Sequence, residues 1–133
     1  MNMTHLQPFL DAMHRGDNDG LAEHLSDGVT LSSPIVEQRF EGMQQVLNVL
    51  SVLLTVADSF EVTKLVSNDR SAAVFVTIRS GEVTVEGVDD MHIDNDGKIS
   101  SMTILWRPLS AIVAMQQRIA PLIGMPAMAL VAI

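Results

Sequence analysis

The chain has 133 residues, with sixteen acidic and eight basic side chains, a formal net charge of −8 and no cysteine. That length suits one compact unit with a real core, so residues 1–133 are expected to form a single domain. The missing cysteines exclude disulfides and thiolate metal sites, and the acidic surplus repels phosphate backbones, so nucleic acid is not an expected partner.

Residues 4–15 carry Leu6, Phe9, Leu10 and Met13 at helical spacing, which predicts a first helix. "RGDNDG" (15–20) breaks it, and Asp17 or Asp19 is placed to cap a second short helix bearing Leu21, Ala22 and Leu25. "VTLSSP" (29–34) reads as a short strand stopped by Pro34. Residues 42–57 form a third helix through Met43, Val46, Leu47, Leu50 and Leu54. The period then changes to two, and segments 60–67, 71–79, 82–93 and 98–106 read as four strands of an antiparallel meander. Pro108 suits the first turn of a last helix, 109–120. Helices pooled first and strands later argue for an α+β fold. The start "MNMTHLQPFLD" lacks the basic and apolar runs of a signal peptide. No run of about 20 apolar residues suits a membrane span. A cytoplasmic protein without membrane partners is the expectation.

The stretch "EGVDDMHIDNDGKISSMTILW" (86–106) places two adjacent carboxylates inside a strand, where neighbours face opposite sides. If Asp89 faces inward, so do Met91 and Ile93, while Asp90, His92 and Asp94 face out. The opposite register buries two carboxylates and exposes two apolar side chains, which costs far more. Asp89 is therefore the expected inward acid. A lone carboxyl in an apolar setting has its pKa raised and can donate a hydrogen bond or act as a general acid. The alternative is a structural carboxylate paired with an arginine or with backbone amides.

Three stretches together, "FLDAMHRGDNDGLAEHLSDGVTLSSP", "FEG" (40–42) and "GVDDMHIDNDGKISSMTILW", resemble the nuclear transport factor 2-like superfamily, in its SnoaL-like and ketosteroid-isomerase-like branches. The "EGVD" strand, the "DGKI" turn and "RPLSA" (107–111) are most similar to uncharacterised bacterial members. The resemblance implies a cone-shaped domain, with a curved antiparallel sheet wrapped around three N-terminal helices and a C-terminal helix. It also implies a homodimer through the open sheet face, for which Val62, Phe75 and Leu105 are candidates. Residues 109–133 are then the last helix and an apolar tail.

The same resemblance implies an apolar pocket for a small hydrophobic molecule, needing no cofactor. Asp89 falls where ketosteroid isomerases keep a protonated aspartic acid in their oxyanion hole. Their oxyanion-hole tyrosine falls at Phe9, and their general-base aspartate falls at Ser33, so the steroid isomerase reaction as that family runs it is not expected. A serine without a base partner does not abstract a carbon-bound proton. Trp106 falls where some isomerases place a pocket aromatic. Limonene-epoxide-hydrolase-like members use a carboxylate–arginine–carboxylate set, for which Asp89 with Arg79 or Arg107 are the candidates here. Glu86 is off register for a second acid. Two readings stay open. One is an isomerase, cyclase or epoxide-hydrolase-like enzyme with Asp89 as its acid or oxygen-binding group. The other is a non-catalytic ligand-binding or accessory domain. The expected pocket wall combines Phe9, Met13, Ser33, Leu50, Asp89, Met91 and Trp106.

Other features read as structural. No two of His5, His14, His24 and His92 have metal-ligand spacing, so no metal site is expected. "DNDG" at 17–20 and 94–97 lacks the closing glutamate of a calcium loop and reads as a cap and a hairpin turn. The nine methionines are mostly core filler. The apolar tail "IAPLIGMPAMALVAI" (119–133) should fold across the pocket mouth or pack into a dimer interface.

Overall fold

In a computed structural model of the protein, which describes residues 3–133, the order is α1 (Leu6–Arg15), β1 (Leu25–Ser32), β2 (Phe40–Glu41), α2 (Met43–Val56), β3 (Ser59–Ser67), β4 (Ser71–Ser80), β5 (Val83–Ile93), β6 (Ile99–Arg107) and α3 (Leu109–Ile119). Helix α1 buries the expected stripe of Leu6, Phe9, Leu10 and Met13 and stops at Gly16, whose φ of 68° is left-handed. Helix α2 buries Val46, Val49, Leu50 and Leu53. Each of these side chains contributes roughly 1.5–3 kcal/mol by leaving water.

The six strands form one sheet in the order β2-β1-β6-β5-β4-β3. Strands β3 to β6 are the antiparallel meander expected from the period-two segments. The last turn is set by Asp94, whose carboxylate accepts from the N–H groups of Asp96 (2.9 Å) and Lys98 (3.0 Å), and by Gly97 at φ 81°. Ser26 donates to the same carboxylate, and this bond above all holds the Asp94 pKa below its ordinary value.

The expected cone requires correction. The sheet is open, neither closed nor strongly curled, with β2 and β3 as its free edges. It is also mixed, because β1 pairs parallel with β6, from Leu25↔Ile99 to Ser32↔Thr103. Two α-helices, not three, precede the meander. The stretch expected as a second helix makes two single 3₁₀ turns, Asn18–Gly20 and Ala22–His24, and Leu25 is already extended. Asp17 does cap here, accepting from Gly20 N–H at 3.1 Å, but by Leu25 the chain is drawn into β1. Pairing with β6 outweighs the weak local helix preference.

Helices α1 and α2 cover one sheet face, where alternate residues Val74, Val76 and Ile78 of β4 and Val85, Asp89, Met91 and Ile93 of β5 are buried. The other face carries exposed Phe75 and Leu105, whereas Val62, expected there, pairs with buried Val76 ahead of a bulge and so lies on the helix side of the edge strand β3. Helix α3 is tied in through Arg118, which donates to the Ser80 hydroxyl at 2.7 Å, while that hydroxyl donates to the Val56 carbonyl at 2.8 Å. One arginine thus joins α3 to the ends of β4 and α2.

Candidate ligand site

Asp89 sits in the middle of β5 with Val74 of β4 on one side and Ile104 of β6 on the other. Both neighbours are buried and apolar. Asp89 itself is only 5% exposed. Among the described residues, no side-chain hydrogen bond or ion pair reaches it. Burial alone pushes its pKa up, to about 7. At neutral pH the carboxyl is therefore protonated in a large share of molecules and able to donate.

Above the carboxyl lies a cavity of about 10 Å³, walled by Phe9 and Met13 of α1, Leu50 and Leu53 of α2, and Ile104 and Trp106 of β6. A second cavity of about 20 Å³ shares Leu50, Leu53, Ile104 and Trp106 with the first and extends to Ser33, Pro34 and Ile35. Each has room for about one water. The interior is thus largely filled by side chains, where a ligand cleft of several hundred Å³ would be usual.

Five of the seven expected wall residues, Phe9, Met13, Leu50, Asp89 and Trp106, meet at the first cavity. Ser33 lies at the second, and its hydroxyl accepts from Ile35 N–H at 3.1 Å, a local turn contact. Met91 is buried but lines neither cavity. Arg79 and Arg107 point to the exposed face, and Arg107 pairs with Glu86 at 2.7 Å. The carboxylate–arginine–carboxylate set is therefore not assembled. Asp89 is the only titratable side chain in the wall of the first cavity among the described residues.

One buried polar atom among the residues of this wall escapes sequence reasoning. The Trp106 indole Nε1 is buried without a hydrogen-bond partner. Its ring lies over Gly87, its cross-strand partner, where an added Cβ would stand 2.5 Å from Trp106 Cδ1 and 3.1 Å from Nε1. Two unpartnered polar groups, an acid and an indole N–H, thus belong to residues walling one apolar void. A glycine two residues before the aspartate was the available sequence signal, since a bare strand position admits a close neighbour.

The SnoaL-like domain model matches residues 6–102. The chain belongs to the SnoaL-like domain family. Among solved structures, this SnoaL-like chain is similar to an uncharacterized protein conserved in bacteria, with a cystatin-like fold, from Silicibacter pomeroyi (19% identity, 88% of this chain and 83% of that one, TM-score 0.83). It is also similar to a steroid delta-isomerase from Pseudomonas aeruginosa (25%, 90% and 86%, TM-score 0.78). A third similar structure is a nuclear transport factor 2-like protein of unknown function from Cytophaga hutchinsonii (16%, 78% and 88%, TM-score 0.67). Among curated proteins, none matches this sequence. No helix among the described residues is long and apolar enough to cross a membrane.

Proposed function

We propose that this SnoaL-like protein, as one domain over residues 1–133, binds a small apolar molecule carrying an oxygen, to which the protonated carboxyl of Asp89 donates a hydrogen bond. The observation that carries this reading is a buried carboxyl without a partner in an otherwise apolar wall. An unsatisfied buried polar group costs about 1–3 kcal/mol, which a ligand oxygen would offset. Trp106 belongs to the same wall, and its buried N–H is unpartnered. Binding without catalysis is favoured because a reaction with separate acid and base needs two titratable groups, and the wall offers one.

A second reading, an isomerase-, cyclase- or epoxide-hydrolase-like enzyme with Asp89 as its acid, is favoured by the elevated pKa, which poises the group near neutrality. The steroid delta-isomerase from Pseudomonas aeruginosa makes steroids the first compounds to try.

Trp106 is the single tryptophan and reports on its own cavity. Titration with steroids, terpene epoxides and phenols should change its emission. Asp89→Ala should weaken oxygen-bearing ligands by about tenfold or more while leaving hydrocarbons nearly unaffected. A silent Trp106 across that panel defeats the binding reading, and turnover of any member selects the enzymatic one.

The exposed apolar face of β4 and β6 supports a homodimer built on Phe75 and Leu105, which share one row across the sheet through Val88. Light scattering at micromolar protein should give twice the chain mass of 14.5 kDa, and the monomer mass would rule the dimer out.

A further inference from the structure

Ser33, Pro34 and Ile35 wall the second cavity and also form one bank of a surface groove of about 600 Å³. The other bank is the C-terminal segment, through Met125, Pro126 and Met128. Groove, outer void and inner void therefore lie in series, each sharing residues with the next, and Asp89 stands at the far end. The interior is too full to admit a ligand as it stands, so a route must open. Opening through the sheet breaks a continuous ladder. Opening between α1 and α2 uncovers the core.

The tail is different. After Gly124 the chain has no regular structure, yet it is held at defined points. Gln116 of α3 is only 2% exposed and spends both ends of its amide on the tail. Its Nε2 donates to the Pro126 carbonyl at 2.9 Å, and its Oε1 accepts from Met128 N–H at 2.7 Å. A side-chain amide thus pairs with the backbone of residues two apart, as a neighbouring strand would. Gln117 adds a bond to the Met128 carbonyl at 2.8 Å. Beyond Met128, no hydrogen bond pins residues 129–133 among the described residues, and Leu130, Val131 and Ile133 are exposed.

We propose that residues 125–128 are a strap latched by Gln116, and that release of this latch opens the route from the surface groove to Asp89. The purpose of such a gate rests on the ligand-binding reading above; its test does not. The three latch bonds, and the Met125 N–H bond to the Ala120 carbonyl at 2.9 Å, exchange for bonds to water when the strap lifts, so this opening costs less than any that uncovers core.

The chain has no cysteine, so an introduced thiol has no background. Leu53→Cys places one at the wall common to both voids, and Leu21→Cys places one in fully buried core outside either void. Labelling with N-ethylmaleimide is measured for each in three backgrounds: the intact chain, Gln116→Ala, and a chain lacking residues 125–133. Both latch changes should speed labelling at Leu53→Cys by about tenfold or more and leave Leu21→Cys unchanged, as local opening requires. Equal acceleration at the two positions means the tail only stabilises the whole fold, and overturns the gate. So does an unchanged rate at Leu53→Cys. Should the shortened chain fail to fold, Gln116→Ala decides alone. The ligand titration stands apart: a working gate with a silent Trp106 refutes the ligand, and a responsive Trp106 with unchanged labelling refutes the gate.

Discussion

Replacing Asp89 with asparagine is expected to raise the melting temperature at about pH 8 and to change little at about pH 3. The folded-state pKa is raised from 3.8 to about 7 by burial. Below 3.8 the carboxyl is protonated in both folded and unfolded chains, so it imposes no ionisation penalty. As pH rises, the unfolded chain ionises first and is favoured. The penalty grows across the interval and is complete above about 7. That interval corresponds to roughly 4 kcal/mol. Asparagine recovers about half, because its amide is also short of partners. For a chain of this size, about 2 kcal/mol raises the melting temperature by roughly 5–10 °C. A lower melting temperature for Asp89→Asn at about pH 8 would show that a partner holds the anion. The same titration governs binding. A neutral oxygenated ligand should bind more weakly as pH rises above about 7, because the donor proton is lost. Asparagine keeps a donor at every pH, so its binding should lose that dependence.

Gly87→Ala is expected to destabilise the protein by about 2–3 kcal/mol, the cost of overpacking a tight interior. Its Cβ would meet Trp106 Cδ1 at 2.5 Å and the Leu105 carbonyl oxygen at 2.8 Å. The indole can swing away, but it would leave the cavity wall it shares with Asp89. The backbone oxygen can move only with β6. Urea unfolding measures the loss, and Trp106 emission records the displaced ring. Trp106→Ala should relieve part of the clash, so the double variant should lose less than the two single losses added together. Strict additivity would mean that the two residues do not press on each other.

Sequence periodicity was enough to read α1, α2, α3 and the four meander strands, because all but β3 present one continuous face to one core, and β3, which buries only Phe60, is still rich in β-branched residues. The orientation of Asp89 was legible for the same reason: burying Asp90, His92 and Asp94 is too costly. The region 18–28 was misread because its local signals permit a helix. Its fate is decided by β6, which begins at residue 99. Strand β2 is two residues long and has no periodicity to detect. The filled interior was not legible either. The same apolar residues specify a core whether or not they leave a hollow, and only packing shows that Leu53 and Ile104 crowd the space over Asp89. Gln116 reads as an ordinary helix polar residue until the tail is seen lying against it.

The parallel pairing of β1 with β6 also governs the order in which the chain can fold. Strand β1 leaves the ribosome early, but its long partner is the last strand to be made. Until Ile99–Arg107 emerges, β1 has only the two residues of β2 to pair with, and Val29 and Leu31 have no sheet to cover. The meander β3 to β6 closes through short hairpins, whereas joining β1 closes a loop of most of the chain, which is slow. A nascent chain halted before Ile99 therefore presents an unpaired apolar strand, so protection from aggregation during synthesis depends on the arrival of β6.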